Sequence, residues 1–390
     1  MGLELLFLLL PVAALSGWVV GRRGRQSDPR AEGSGFSSEY FKGLNFLLNE
    51  QPDKAIEVFV RMVEVDSETI DTHLALGNLF RRRGEVERAI RIHQNLIARP
   101  ILTRTHRNQA LYELGLDYMR AGLLDRAEAL FLQLIDDQER GEYALRQLLD
   151  VYQQEKEWDN AIKCTRRLES VTGGQMSAIV AQFYCELAEE ALRSDDGGQG
   201  MKMVKQALAE DRSCVRASLL EARVHLRQGA YKAAMRALKR VEQQDAEFLP
   251  EILEPLQEAY RGQGRPMEMI HYLRPVLREH GGISVLLMLV ELIRQQQGDK
   301  DAAVFITDYL RKRPSVRGME RLIELKLPYS SAGHARDDLQ VLKDLTASLL
   351  QDKPVYKCNN CGFTGKKLHW QCPSCKHWNT IRPIHGIEGE

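Results

Sequence analysis

Residues 114–134, LGLDYMRAGLLDRAEALFLQL, contain the sequence pattern from which the fold can be predicted. Its defining positions are a small residue followed by large or small apolar residues three, twelve, sixteen and nineteen positions later: Gly115, Tyr118, Ala127, Phe131 and Leu134. A small residue on one helix and an alanine on the next let two antiparallel helices approach closely. The large side chains then fill the space toward the following pair. The stretch therefore predicts one helix–turn–helix unit.

The same register recurs through most of the chain. Its small-residue position is occupied in turn by Gly43, Gly77, Gly115, Leu149, Ala188, Ala222, Gln257 and Glu291. A period of about 34 residues resembles that of the tetratricopeptide family. A further unit over 319–350 is helical by pattern, although Pro328 and the sequence SSAG at 330–333 interrupt it. We expect an all-α helical-repeat solenoid of about nine repeats over residues 39–350, with a surface suited to binding proteins.

Five glycines mark the turn inside the repeats. Each lies seven residues after the small position, where the chain needs a left-handed or flexible residue: Gly84, Gly122, Gly229, Gly264 and Gly298. The role of Arg81, Arg82 and Arg83, which precede Gly84, is left open by the sequence. They could contact a ligand, or they could complement the negative end of a helix.

Composition and missing motifs narrow the function. The chain has 54 basic and 54 acidic residues, so no overall field favours nucleic acid. The sequence has no nucleophile elbow, no H-E-x-x-H and no phosphate-binding loop. We therefore predict a protein that is not an enzyme and does not bind nucleic acid.

The sharpest chemistry lies near the C-terminus, in two C-x-x-C motifs. Cys358 and Cys361 form the first, and Cys372 and Cys375 form the second. Two facing C-x-x-C turns make a tetrahedral four-sulfur cage, which selects zinc or a single iron. We predict one bound metal ion in a small domain over residues 354–384.

The other cysteines, Cys164, Cys185 and Cys214, are scattered through helical segments. This distribution is unlike a secreted disulfide framework. It favours a reducing compartment in which these three thiols are buried or inert.

The second motif, Cys-Pro-x-Cys, resembles the rubredoxin family, as do the aromatic residues Tyr356, Phe363, Trp370 and Trp378. That resemblance implies iron. The segment between the two motifs is shorter than in rubredoxin, however, and Lys376 stands where the second motif would have glycine. Zinc therefore remains the alternative metal, and electron transfer by an iron site remains an alternative function.

Residues 1–21 are predicted to form a transmembrane anchor. The segment from Leu5 to Val20 is nearly all apolar and is followed by Arg22 and Arg23. The length of this segment and the arginines after it are typical of a membrane-spanning helix. Arginines on this side indicate that the rest of the chain faces the cytoplasm. Residues 22–38 then read as a flexible linker.

An anchor, tetratricopeptide repeats and a terminal rubredoxin-like motif resemble, in combination, the lipopolysaccharide assembly protein B family of Gram-negative bacteria. The resemblance rests on 5–20, on the repeats from Gly43 to Leu310, and on the four paired cysteines. It implies a single-pass protein of the inner membrane that regulates lipopolysaccharide biosynthesis as an adaptor. The implied partners are the FtsH protease, its substrate the LpxC deacetylase, and other inner-membrane regulatory and assembly proteins. A homo-oligomer is also possible.

Overall fold

The computed structural model describes residues 38–49, 51–65, 70–100, 102–330, 334–387 and 389. The predicted anchor (1–21) and nearly all of the predicted linker (22–38) lie outside these residues. Among the described helices, none is both long enough and apolar enough to cross a membrane. The described residues divide into two compact units, with the division between Gly141 and Glu142.

The described part of the first unit contains three helix pairs. In chain order its helices are α1 (Ser38–Leu48), α2 (Pro52–Val65), α3 (Ile70–Arg82), α4 (Val86–Ile97), α5 (Arg104–Arg120) and α6 (Leu124–Leu132). The close approach predicted at the small positions is present. A Cβ atom built on Gly115 would lie 2.6 Å from the ring of Phe131, and one on Gly43 would lie 2.6 Å from the ring of Phe59. These glycines are therefore required by packing between the paired helices.

Within its described residues, the second unit contains six pairs, beginning with α7, whose first residue lies at the boundary. Its helices are α7 (Gly141–Glu155), α8 (Trp158–Thr172), α9 (Ser177–Arg193), α10 (Gly197–Glu210), α11 (Val215–Arg227), α12 (Tyr231–Gln244), α13 (Leu249–Gly262), α14 (Glu268–Glu279), α15 (Ile283–Gln297), α16 (Asp299–Leu310), α17 (Val316–Lys326) and α18 (His334–Gln351). Short 3-10 segments precede α13 (Ala246–Phe248) and follow α17 (Leu327–Tyr329). The first helices of successive pairs, from α9 to α17, contact one another and so share one face.

The glycine turns are confirmed. All five predicted glycines have positive φ, between 67° and 95°. The fourth and fifth pairs have Lys156 and Asp195 at the equivalent position, and each adopts φ 59°. The helix-pair geometry therefore imposes the left-handed conformation even where a side chain makes it less favourable.

The three scattered thiols are buried, as predicted. Burial raises the pKa of Cys164 to about 12. The Sγ atoms of Cys185 and Cys214 lie 3.8 Å apart, a proximity that their sequence separation did not indicate.

A small three-stranded sheet follows α18. Its strands are β1 (Tyr356–Cys358), β2 (Thr364–Gly365) and β3 (Ile381–Pro383), in the antiparallel order β2-β1-β3. Cys358 pairs with Ile381 across the sheet, and both are buried with Cys372 in a local core. Such a small core provides little stability of its own.

Candidate metal centre

The structure brings all four predicted ligands together. The Sγ atoms of Cys358 and Cys375 lie 3.8 Å apart, and those of Cys361 and Cys372 lie 3.6 Å apart. All four sulfur atoms lie within 4.8 Å of one another. A tetrahedral zinc site with metal–sulfur bonds of about 2.3 Å requires sulfur atoms about 3.8 Å apart. The spacing therefore fits one tetrahedral metal ion.

The two C-x-x-C motifs adopt the same turn. The backbone N–H of Gly362 donates to the carbonyl of Cys358 (3.0 Å), and that of Lys376 donates to the carbonyl of Cys372 (2.9 Å). Gly362 has φ 80° and Lys376 has φ 61°. Lysine thus occupies the conformation expected of glycine, at a cost of about 1 kcal/mol. The departure from the rubredoxin sequence leaves the turn intact.

Hydrogen bonds around the sulfur atoms favour thiolates at two of the four positions. The backbone N–H of His377 and the side chain of Asn360 lower the pKa of Cys375 to about 5. Burial acts to raise the pKa of Cys358, but hydrogen bonds, the first of them to Thr380, outweigh it and lower that pKa. Thiolates are the form of cysteine that binds zinc or iron.

The sulfur atom of Cys372 has a different environment. Burial raises the pKa of Cys372 to about 11, so this thiol stays protonated unless a cation compensates its charge. Four gathered sulfur atoms, including one that needs a cation, are chemically suited to a divalent or trivalent metal ion.

Histidines near the centre do not join it. Among the described residues, the sulfur cluster contains no histidine nitrogen. Nδ1 of His377 lies 3.0 Å from the carbonyl oxygen of Cys375, and the ring of His369 packs edge-on against Phe363. The clustered donor atoms at this candidate site are therefore four sulfurs.

The metal domain packs against the repeats through Trp378, three residues beyond Cys375. Its ring meets those of Phe183 and Trp158 edge-on, with centroids 5.7 and 6.2 Å away. Its indole N–H donates to Gln153 Oε1 (2.8 Å). The guanidinium of Arg216 lies 5.9 Å from the same ring. These repeat residues lie on α7, α8, α9 and α11, so the side chain of Trp378 contacts four helices.

A second anchor point lies around Trp370, two residues before Cys372. Its ring stacks on Phe248, with centroids 5.4 Å apart. On the same phenylalanine, the guanidinium of Arg382 lies 4.7 Å from the ring centroid. Arg382 also forms ion pairs with Asp245 (3.4 Å) and Glu247 (3.1 Å). The metal domain is thereby attached to the repeats at two separate places.

Two further contacts extend this interface. The Tyr356 hydroxyl hydrogen-bonds to Glu251 on α13. Beyond β3, the carbonyl of Ile387 accepts from the backbone N–H of Val316 at the start of α17 (2.9 Å). We call the contacts of Trp378, Trp370, Arg382, Tyr356 and Ile387 with the repeats the docking interface.

The sequence did not predict the docking interface. Tyr356, Trp370 and Trp378 were interpreted as rubredoxin-like aromatic residues, whereas the structure shows each of them contacting the repeats. The sequence contained one signal for this interface. Trp158, which contacts Trp378, is the only tryptophan within the predicted repeats.

The sequence left open whether the arginines at 81–83 contact a ligand, and for Arg81 the structure shows ion pairs within the repeats. The guanidinium of Arg81 pairs with Glu113 (2.7 Å) and Asp117 (2.8 Å) on α5, and Asp117 is fully buried. Arg81 therefore connects α3 to the next helix pair instead of projecting toward a ligand.

Known families and proteins match almost the whole chain. Tetratricopeptide repeat families match residues 72–107 and 191–254, and the rubredoxin metal binding domain family matches residues 356–383. Lipopolysaccharide assembly protein B of Escherichia coli strain K12 is 43% identical over 387 residues, which cover 99% of this chain and 100% of that protein. The protein of the same name from Haemophilus influenzae is 35% identical over 395 residues, covering 99% of each.

Proposed function

The chain belongs to the lipopolysaccharide assembly protein B family, and we propose that it regulates lipopolysaccharide biosynthesis as a non-enzymatic adaptor. In this role it promotes degradation of the LpxC deacetylase by the FtsH protease. Other inner-membrane regulatory and lipopolysaccharide assembly proteins are the remaining proposed partners, and self-association is possible. Family membership supports the pathway, and the architecture supports the mode of action.

The observation that carries the adaptor role is the docking interface. A four-sulfur centre leaves no open coordination position for a substrate, so it is suited to a structural task. Here the metal domain is fixed to repeat helices whose family binds proteins. Cys372 and Cys375 stand two and three residues from Trp370 and Trp378, so closing the sulfur cage sets the positions of both docking side chains.

We further propose that Cys358, Cys361, Cys372 and Cys375 hold one metal ion. Iron is the metal of the rubredoxin type, and zinc is the alternative. When bound, the ion supplies folding free energy that the small local core lacks. Electron transfer by an iron centre is the competing function. A spectroscopically silent, zinc-loaded protein with full regulatory activity would exclude it.

The proposed arrangement places a single-pass anchor at 1–21 in the bacterial inner membrane, a linker at 22–38, the repeats at 39–350 and the metal domain at 354–384, with the bulk of the chain in the cytoplasm. The anchor places the adaptor in the same membrane as the protease. A short linker limits how far the repeats can move from the bilayer.

Deletion and complementation test the proposal. Cells lacking the chain should accumulate the deacetylase, and the full-length chain should restore its normal abundance. A variant without 1–21 should restore it only weakly, because it is no longer held at the membrane. Deacetylase abundance that is unchanged by deletion would contradict the adaptor role.

A further inference from the structure

The last repeat helix, α18, exposes an apolar stripe. Four large aliphatic side chains on this helix are each at least half exposed: Val341 (57%), Leu342 (50%), Leu345 (56%) and Leu349 (57%). Leu345 lies four residues after Val341 and three after Leu342, and Leu349 lies four residues further on, so all four are on one side of the helix. No residue of α18 is fully buried.

The opposite side of the same helix is held against α17. Lys343 Nζ lies 3.3 Å from Glu324 Oε1, and Thr346 and Leu350 are half-buried. The helix is therefore seated on the array, and the stripe faces away from it. A helix that ends a repeat array normally presents a polar outer surface, because no further repeat covers it. An apolar stripe at this position indicates a surface that another helix covers.

Acidic residues border the stripe. Asp337 and Asp344 are seven residues apart and share one flank, and Asp338 lies one turn before the first leucine of the stripe. Within the described chain, none of these three carboxylates has an ion-pair partner. The two basic residues of the helix, Arg336 and Lys343, are also seven apart and share the side that faces α17. The exposed side therefore combines apolar and negative character.

We propose that α18 docks an amphipathic helix of a partner protein, with an aliphatic stripe bordered by lysine or arginine. Such a helix would bury the four aliphatic side chains and compensate the three carboxylates. A second copy of α18 fits less well, because its stripe has the same acidic border. An anionic bilayer surface fits less well for the same reason. The inference rests on the proposed adaptor role and adds the site and chemistry of one partner contact.

Photocrosslinking in the native membrane tests this docking site. The full-length chain would carry p-benzoylphenylalanine in place of Leu345, with the same probe at Val304 as the matched control. Val304 is an equally exposed aliphatic residue (62%) on α16, away from the stripe. We expect an adduct from position 345 whose crosslinked segment, identified by mass spectrometry, is an amphipathic helix bordered by lysine or arginine. Position 304 should give none.

Charge reversal supplies the second arm. The variant Asp337→Lys/Asp344→Lys should keep its helix content by circular dichroism and lower the yield of the adduct at least tenfold. An adduct with a second copy of this chain, an adduct with lipid, a yield no higher than at position 304, or a yield unchanged by charge reversal would each overturn the proposal. Normal deacetylase turnover alongside any of these results would leave the adaptor role standing.

Discussion

Replacing Trp378 with alanine should release the metal domain from the repeats without removing a metal ligand. The substitution deletes the two edge-on contacts with Phe183 and Trp158, the hydrogen bond to Gln153 and the contact with Arg216. The four cysteines are untouched. The expected result is a metal domain that keeps its metal and loses much of its attachment.

The size of the effect follows from these contacts. Two aromatic pairs contribute about 1 kcal/mol each. One hydrogen bond contributes about 1 kcal/mol, and a partly exposed cation–π contact contributes about 0.5 kcal/mol. Because such terms are not fully additive, we expect a loss of about 3 kcal/mol in docking free energy. That loss corresponds to roughly a hundredfold increase in the undocked population.

The matched control is Trp378→Phe. Phenylalanine keeps the aromatic contacts and loses the indole N–H, which costs about 1 kcal/mol, or roughly fivefold in the undocked population. Gln153 Oε1 still accepts from the Gln371 side chain at 3.1 Å, so the control leaves no buried acceptor without a donor.

Hydroxyl-radical footprinting read by mass spectrometry can distinguish undocking from a local cavity. Phe183 and Phe248 are both fully buried. Only Phe183 contacts the substituted side chain, whereas Phe248 lies beneath Trp370 at the other anchor point. If labelling requires undocking, the rate at Phe248 should rise roughly a hundredfold in Trp378→Ala and roughly fivefold in Trp378→Phe, in proportion to the undocked population.

Two results would contradict this role of Trp378. Labelling at Phe248 that stays at the unsubstituted rate in Trp378→Ala would show that the tryptophan does not hold the two parts together. Equal effects of alanine and phenylalanine would show that the hydrogen bond, and not the aromatic contacts, carries the attachment.

Three further substitutions test the metal centre and the packing of the first unit. Cys358→Ser/Cys361→Ser should lower the metal content, measured by elemental analysis, from one ion per chain to none and abolish deacetylase control; a metal-free variant with normal control would contradict this. Gly115→Ala should destabilise the first unit by about 1–3 kcal/mol in urea unfolding, because the added methyl group would lie 2.6 Å from the ring of Phe131. Unchanged stability would mean that the two helices can move apart at no cost in free energy. Arg81→Met should cost about 2 kcal/mol in the same assay, because the buried Asp117 loses its charged hydrogen bond to Arg81 and keeps only the contact with His93 Nδ1. A neutral result would remove the Arg81–Asp117 pair from the stabilising contacts.

The repeat fold was predictable because its signal is both local and repeated. The packing of Phe131 on Gly115 lies within one helix pair, and the same offset recurs at Phe59 and Gly43. The turn conformation was predictable at glycines but not at Lys156 and Asp195. Neither residue type favours positive φ as glycine does, so only the surrounding helices impose that conformation.

The sulfur cluster was also predictable, because each C-x-x-C turn positions two thiols within four residues. The docking interface was not. Trp378 and Gln153 are 225 residues apart in sequence, and an aromatic residue beside a metal knuckle can pack within its own domain or on another surface. Local pattern cannot distinguish these outcomes, since both bury the same ring.

The proposed adaptor role requires that this chain make the deacetylase a better substrate for the membrane protease. Reconstitution tests it most directly: the purified protease, in vesicles with ATP, is given the deacetylase with or without the full-length, metal-loaded chain, and the loss of deacetylase is followed over time. We expect the deacetylase to be degraded faster when the chain is present, and the chain itself should not be consumed. Degradation at the same rate with and without it would contradict that role.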